Sequence, residues 1–270
     1  MRNLPLLLLV AVASVCSAQN APQKKEGAPS KKAPAAKLPS QPADVAAQKF
    51  GGDGKVNPGF AAAHASFVEI ARKGEAQVVF LGDSITAGWK GQPALFEKEF
   101  GQYKAANFGI GGDRTEHVLW RLDNGNFDGL KPKLVVLMIG TNNTGHQGRP
   151  QKELDGVVYR CTPQQTAEGV KAILGRLEQK CPDAKVLVLA IFPRGPDRND
   201  AFRRQNEEAN AILRTFADGK RVHFLDIGDK FLEPDGTLSK SIMPDLLHPN
   251  EKGYEIWAAA LEPKVKELLK

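Results

Sequence analysis

Four short blocks along this chain could do chemistry: Gly82-Asp83-Ser84, Gly111-Gly112-Asp113, Gly140-Thr141-Asn142 and Asp245-Leu246-Leu247-His248. A serine hydroxyl becomes a useful nucleophile when a neighbouring base takes its proton, and histidine is the side chain best matched to that task near neutral pH. Of the five histidines, His248 alone has an acid three residues before it, Asp245. One turn of chain lets that carboxylate accept from Nδ1 and leaves Nε2 facing Ser84. A tetrahedral intermediate also needs donors aimed at its oxyanion. The backbone N–H groups of Ser84 and Gly112 and the side-chain amide of Asn142 are the candidates, since glycine lets main chain approach a ligand closely. Read singly, each block is a turn, a tight connection or a helix cap. Read together, they supply every part that acyl transfer requires. Asp83 and Asn143, next to the nucleophile and next to Asn142, are candidate substrate contacts.

These residues must be held by strand ends. Continuous apolar runs predict five strands, at Val78 to Leu81, Lys104 to Phe108, Leu134 to Ile139, Lys185 to Ile191 and Val222 to Leu225. Helical spacing fills the intervals, at Pro93 to Phe100, Arg114 to Asn124, Pro163 to Lys180, Asp200 to Ala217 and Gly253 to Leu269, with another helix after Pro58. Runs such as Leu134-Val135-Val136-Leu137-Met138-Ile139 have no polar face, so the strands are buried on both sides in a parallel sheet covered by helices. The expected fold is a three-layer α/β/α, doubly wound, flavodoxin-like domain with a five-stranded parallel sheet. Such folds bind ligands at the carboxyl ends of the strands, where three of the four blocks fall. Trp120, Leu119 and Leu122 read as core, Arg114 and His117 as support near the pocket, Asp226 as a turn acceptor, and Arg198, Arg203 and Arg204 as a solvated helix start.

The chain has 270 residues, 41% hydrophobic and 25% charged, which suits one large α/β domain or two small ones and excludes collagen-like, coiled-coil and disulfide-scaffold classes. The net charge of +6 is uneven: residues 19–50 carry +4, from six lysines against Glu26 and Asp44, and residues 51–270 are left with +1. A nearly neutral folded part gives no footing for nucleic-acid binding. Met1 and Arg2, the apolar run Leu6 to Val15 and the small residues before Gln19 match a secretory signal peptide over residues 1–18, cleaved after Ala18. The expected location is therefore periplasmic or extracellular, with lipid attachment at Cys16 the weaker alternative because Val15 precedes it. Residues 19–50, rich in Ala, Pro and Lys, read as a disordered linker whose lysines could contact an anionic wall or membrane surface. The folded domain is expected over residues 51–270. Cys161 and Cys181 could form one disulfide or remain free, no histidine or cysteine cluster has ligand spacing, and neither a metal nor a cofactor is expected. Whether the protein is a homodimer is left open.

In its four ordered blocks the chain resembles the SGNH, or GDSL-type, hydrolases. The resemblance implies a serine esterase in which Ser84 is the nucleophile, His248 the base, Asp245 its orienting acid, and Ser84, Gly112 and Asn142 the oxyanion hole. Within that family, Asn107-Phe108-Gly109-Ile110-Gly111-Gly112-Asp113-Arg114-Thr115, His117 to Leu122, Gly140 to Asn143 and Pro193-Arg194-Gly195 resemble the platelet-activating-factor acetylhydrolase catalytic-subunit branch. Against that branch, residues 144–162 read as an insertion, a long loop leaving the third strand. The expectation is a substrate wall with Tyr159 and Arg149 as contacts. The leading functional expectation is a secreted esterase removing short acyl groups, acetyl above all, from carbohydrate. A lipase-like or platelet-activating-factor-acetylhydrolase-like lipid esterase is the alternative, and a catalytically idle glycan-binding module is the reading from another class.

Overall fold

The computed structural model describes residues 40–151 and 156–270. Five parallel strands form the central sheet: β1 (Val78–Gly82), β2 (Ala105–Gly109), β3 (Leu134–Met138), β6 (Lys185–Leu189) and β7 (Val222–Leu225). They lie in the order β2-β1-β3-β6-β7. The chain runs from β1 outward to β2 and then returns across β1 to β3, so the winding direction reverses beside β1. That reversal opens a crevice at the strands' carboxyl ends.

Both sheet faces are covered because alternate strand residues point to opposite sides and those of the central strands β1 and β3 are all apolar or glycine. Val79, Leu81, Val135, Leu137, Val186 and Val188 pack under α1 (Pro58–Lys73), α4 (Thr115–Asp123), α6 (Pro163–Lys180) and α7 (Ala201–Arg214). Val78, Phe80, Val136, Met138, Leu187 and Leu189 face α3 (Pro93–Phe100) and α8 (Glu251–Leu268), and there Trp89 meets Trp257 of α8 with the rings tilted at 45°. Local chemistry sets the helix ends. Asn57 caps α1 through the Phe60 N–H, and Thr162 and Gln165 form a reciprocal capping box on α6. Two short helices start at strand ends, α2 (Ser84–Ala87) after β1 and α5 (Thr141–Gly145) after β3.

The five strands and the α/β/α layering agree with the sequence reading. The signal peptide and residues 19–39 of the expected linker lie outside the described residues. The linker boundary needs correcting at its other end, because residues 40–50 are part of the folded domain. Ala43 is buried, its carbonyl accepts from Thr115 Oγ1, and the Ala47 N–H donates to the Glu116 carbonyl. The alanines were read as solvated filler, but Ala43 lies against Thr115 of α4 and Gly169 of α6, where a small side chain fits. The described residues of the 144–162 segment are also more ordered than a loop. They include the last two residues of α5 and a two-residue antiparallel pair, β4 (Pro150–Gln151) with β5 (Val157–Val158). Cys161 and Cys181 are both free and buried.

Candidate active site

Ser84 follows β1 directly and opens α2, where the preceding Asp83 caps the helix by accepting from the Ile85 N–H at 3.0 Å. The turn is tight because Gly82 and Gly109 carry no side chain. A Cβ at Gly109 would stand 2.2 Å from the Ala87 nitrogen, so β2 could not lie so close to the nucleophile's helix. Tyr254 on α8 donates to the Ile85 carbonyl at 2.6 Å and pins α2.

His248 arrives from the loop before α8. Its Nε2 is 2.8 Å from Ser84 Oγ, and its Nδ1 is 2.6 Å from Asp245 Oδ2. The other Asp245 oxygen accepts from its own turn, from the Leu247 N–H at 3.1 Å and the His248 N–H at 2.7 Å. One carboxylate oxygen is thus fixed by backbone while the other meets the imidazole. Leu246 takes a left-handed φ of 58° in this turn, and its carbonyl is held by the Gly195 N–H. Partial burial pushes Asp245 upward, but the hydrogen bonds from His248 outweigh it and hold the carboxyl below its ordinary value. Both side chains keep solvent contact, 56% for Asp245 and 42% for His248.

The opposite wall is the loop after β2. The Asp113 N–H donates to the Ile110 carbonyl, closing a turn in which Gly112 has a φ of 72°, the region where glycine is favoured. Gly111 lies against Ser84, since a Cβ built on it would be 3.8 Å from the serine Cβ. Asn142 Nδ2 donates to the Asp113 carbonyl at 2.9 Å, which leaves its second hydrogen unspent. Ser84, Gly112 and Asn142 therefore converge at the ends of three adjacent strands.

Beneath them is a buried charge network. Arg121, fully buried on α4, donates to the carbonyls of Phe108 and Gly82 at 2.9 and 3.2 Å, and its Nε is 3.0 Å from Asp113 Oδ2. It ties the ends of β1 and β2 to the oxyanion-side loop. Lys49, from the segment before α1, donates to the Gly111 carbonyl and lies 3.4 Å from Asp113.

Three of the four expected substrate contacts face inward instead. Asp83 is 1% exposed, and burial lifts its carboxyl to about 7, with Asp113 adding to the effect against the Ile85 N–H, His248 and Lys49. Asn143 is fully buried and holds Thr115 and the Tyr159 hydroxyl. Tyr159 is buried too, with the Arg114 guanidinium 4.1 Å above its ring. Each polar group satisfies a neighbour within the fold, which removes it from the substrate surface. Arg149 alone of the four is exposed. Arg203, expected in solvent, is buried because the helical period puts it on the face of α7 that carries Asn206, Ala209 and Leu213. It donates to the carbonyls of Arg194, Gly195 and Gly236. Sequence reasoning missed Lys49, Arg121 and Tyr254, and the only local signal was Arg121 falling among the apolar positions of α4.

The arrangement of strand ends is matched by residue-level similarity. Residues 80–256 match the model of the GDSL-like Lipase/Acylhydrolase family. The chain belongs to that family. Among curated relatives of this acylhydrolase, the platelet-activating factor acetylhydrolase IB subunit alpha1 of Homo sapiens is 37% identical over 231 residues, covering 85% of this chain and 90% of the relative. Among solved structures, a GDSL-like lipase from Bacteroides thetaiotaomicron aligns at a TM-score of 0.59 and 20% identity, over 77% of this chain and 97% of that one. An acetylxylan esterase from Geobacillus stearothermophilus aligns at 0.54 and 18% identity, over 71% and 93%. Both are likenesses of fold. The family membership makes this acylhydrolase an ester hydrolase.

Proposed function

We propose that this GDSL-type acylhydrolase is an exported serine esterase that removes short acyl groups, acetyl first, from hydroxyl oxygens of carbohydrate. The observation that carries the catalytic part is the unbroken chain from Ser84 Oγ through His248 to Asp245, at 2.8 and 2.6 Å. Ser84 Oγ attacks the ester carbonyl and passes its proton to His248 Nε2, while Asp245 Oδ2 accepts the Nδ1–H and offsets the imidazolium charge. The carbonyl oxygen becomes an oxyanion held by the N–H groups of Ser84 and Gly112 and by Asn142 Nδ2. Collapse of that intermediate breaks the bond to the alcohol, which leaves with the proton from Nε2. Water then attacks the acyl-serine by the same route, with His248 as base, releasing the carboxylic acid and free Ser84.

Acetyl is favoured because the curated relatives are named acetylhydrolases. Carbohydrate is favoured by the export signal read over residues 1–18 and by the acetylxylan esterase among the fold's neighbours. One observation favours a second reading, a lipid ester: the 37% identity is to subunits named for platelet-activating factor. Hydrolysis of p-nitrophenyl esters from acetate to octanoate, with Ser84→Ala alongside, tests both. A rate that peaks at acetate and vanishes in the variant supports the acetylesterase. A peak at longer chains transfers the substrate to lipid, and activity that survives in the variant removes Ser84 as nucleophile. Absence of both turnover and fluorophosphonate labelling of Ser84 would return the domain to a glycan-binding module.

A further inference from the structure

Nothing in its own residues fixes the direction of the Gly111–Gly112 peptide, which lies against the nucleophile. Ile110, Gly111, Gly112 and Asp113 form a turn closed by the Asp113 N–H on the Ile110 carbonyl, and of its two central residues only Gly112 has a positive φ, 72°. That is the pattern of a type II turn, and turning the central peptide over converts it to type I with the first and last residues left in place. Glycine on both sides of the peptide removes the steric cost that would choose between the two. In a trans peptide the carbonyl and the N–H point in opposite directions, so such a flip reverses the Gly112 N–H, the donor that the esterase reading assigns to the oxyanion.

A side chain from outside the turn supplies the direction. Lys49 Nζ donates to the Gly111 carbonyl, and it stands so close to the next residue that a Cβ on Gly112 would lie 3.1 Å from it. The backbone around Lys49 is anchored to the starts of two helices. The Lys49 carbonyl accepts from the N–H of Asn57, the cap of α1, at 2.9 Å, and the Ala47 N–H donates to the Glu116 carbonyl in the first turn of α4 at 3.1 Å. The far end of the side chain is held by Asp113, whose Oδ1 is 3.4 Å from Nζ while its Oδ2 meets Arg121 and its carbonyl accepts from Asn142. Asp113 thus links Lys49, on the Gly112 peptide, to Asn142, the side-chain donor.

Electrostatics acts in the same sense. The Lys49 side chain is 14% exposed. Burial lowers its pKa below the ordinary value and Arg114 and Arg121 add to that, while Asp113, through its charge and a hydrogen bond, opposes them. The pair with Asp113 does not spend the contact with the turn, because an ammonium has three hydrogens and these two partners take two. A hydrogen bond accepted from an ammonium that is largely removed from water polarises the peptide and makes its N–H a stronger donor.

We infer that Lys49 is a positioning residue for catalysis: by holding the Gly111 carbonyl it keeps the Gly112 N–H turned to the oxyanion that forms when Ser84 attacks the ester. The inference rests on the esterase reading, and Lys49 acts through the Gly111–Gly112 peptide. Acylation and deacylation both pass through an oxyanion, so the effect falls on whichever step limits kcat. The ground-state ester carries little charge on that oxygen and binds as before.

The test is steady-state hydrolysis of p-nitrophenyl acetate by the parent, Lys49→Met, Lys49→Ala and Lys49→Arg, each shown folded by thermal unfolding. Lys49→Met should lower kcat about 10- to 100-fold and leave KM within about twofold, a smaller loss than removing a donor outright because the freed peptide still samples its active direction. Lys49→Arg, which keeps a charged donor, should recover about half of that loss or more on a logarithmic scale. Propylammonium, the piece removed in Lys49→Ala, should raise that variant's kcat at least about fivefold with saturation. Tetramethylammonium, a cation without an N–H, should not, and neither salt should change the parent or Asn142→Ala. A kcat unchanged in Lys49→Met, or a change confined to KM, overturns the inference. So does a lowered kcat that neither arginine nor propylammonium restores, which would give Lys49 a structural role only. If Lys49→Met does not fold, the same comparison is made in Asp113→Asn, where no carboxylate is left for the lost lysine to strand, and an unchanged kcat there overturns the inference in the same way. A parent without Ser84-dependent turnover overturns the esterase reading and this inference with it, whereas turnover that is lost in Ser84→Ala and untouched by Lys49→Met removes the role of Lys49 alone.

Discussion

Asp83 precedes the nucleophile and is sealed from solvent, and replacing it with asparagine should stabilise the protein in a way that depends on pH. Burial raises its carboxyl from 3.8 to about 7, with Asp113 adding to the shift and the Ile85 N–H, His248 and Lys49 opposing it. A folded-state value above the unfolded one means that the fold holds a proton the unfolded chain releases. The associated stability is fully present below about 3.8 and is lost as pH rises through about 7. The whole interval is worth roughly 4 kcal/mol, so a working expectation is about 2–4 kcal/mol by pH 8.5. Asparagine keeps an oxygen to accept from the Ile85 N–H and carries no charge to desolvate. Asp83→Asn should therefore match the parent near pH 4 and exceed it increasingly up to pH 7. Beyond that the gain levels off, at about 5–15 °C in Tm for a domain of this size. Urea or thermal unfolding of both proteins from pH 4 to 8.5 measures the difference directly. Glu116, raised to about 7, and Asp245, held below its ordinary value, shape the parent's own profile but cancel in that difference. A difference that is flat with pH, or a variant less stable at pH 8.5 than the parent, would refute the reasoning.

Three other substitutions probe the site from different sides. Asn142→Ala should lower kcat about 10²- to 10³-fold while Ser84 still reacts with a fluorophosphonate, because the oxyanion loses a donor and the nucleophile keeps its base. Asp245→Asn should lower kcat by about 10² to 10⁴, toward the smaller figure because water reaches both members of the pair, and steady-state kinetics on p-nitrophenyl acetate would show it. Arg121→Met should cost about 3–5 kcal/mol in urea unfolding, since it strands the buried Asp113 carboxylate and takes a charged donor from the carbonyls of Phe108 and Gly82. A loss under about 1 kcal/mol would mean that Lys49 alone suffices for Asp113.

What the sequence by itself determined is whatever repeats locally. Unbroken apolar runs such as Leu134 to Met138 announced strands buried on two faces, and the same runs placed Ser84, Gly112 and Asn142 at strand ends. The three-residue spacing of Asp245 and His248 was legible because both partners sit in one turn. Tertiary structure alone decided which polar residues face the substrate. Asp83, Asn143 and Tyr159 carry groups suited to a ligand, yet each spends them on Ile85, Thr115 or Arg114 inside the fold. Lys49 reaches Gly111 across 62 positions, and Tyr254 reaches Ile85 across 169. No local period encodes such contacts. A hydrogen bond is set by the distance between two atoms in space, and a side chain's type states only that it can make one.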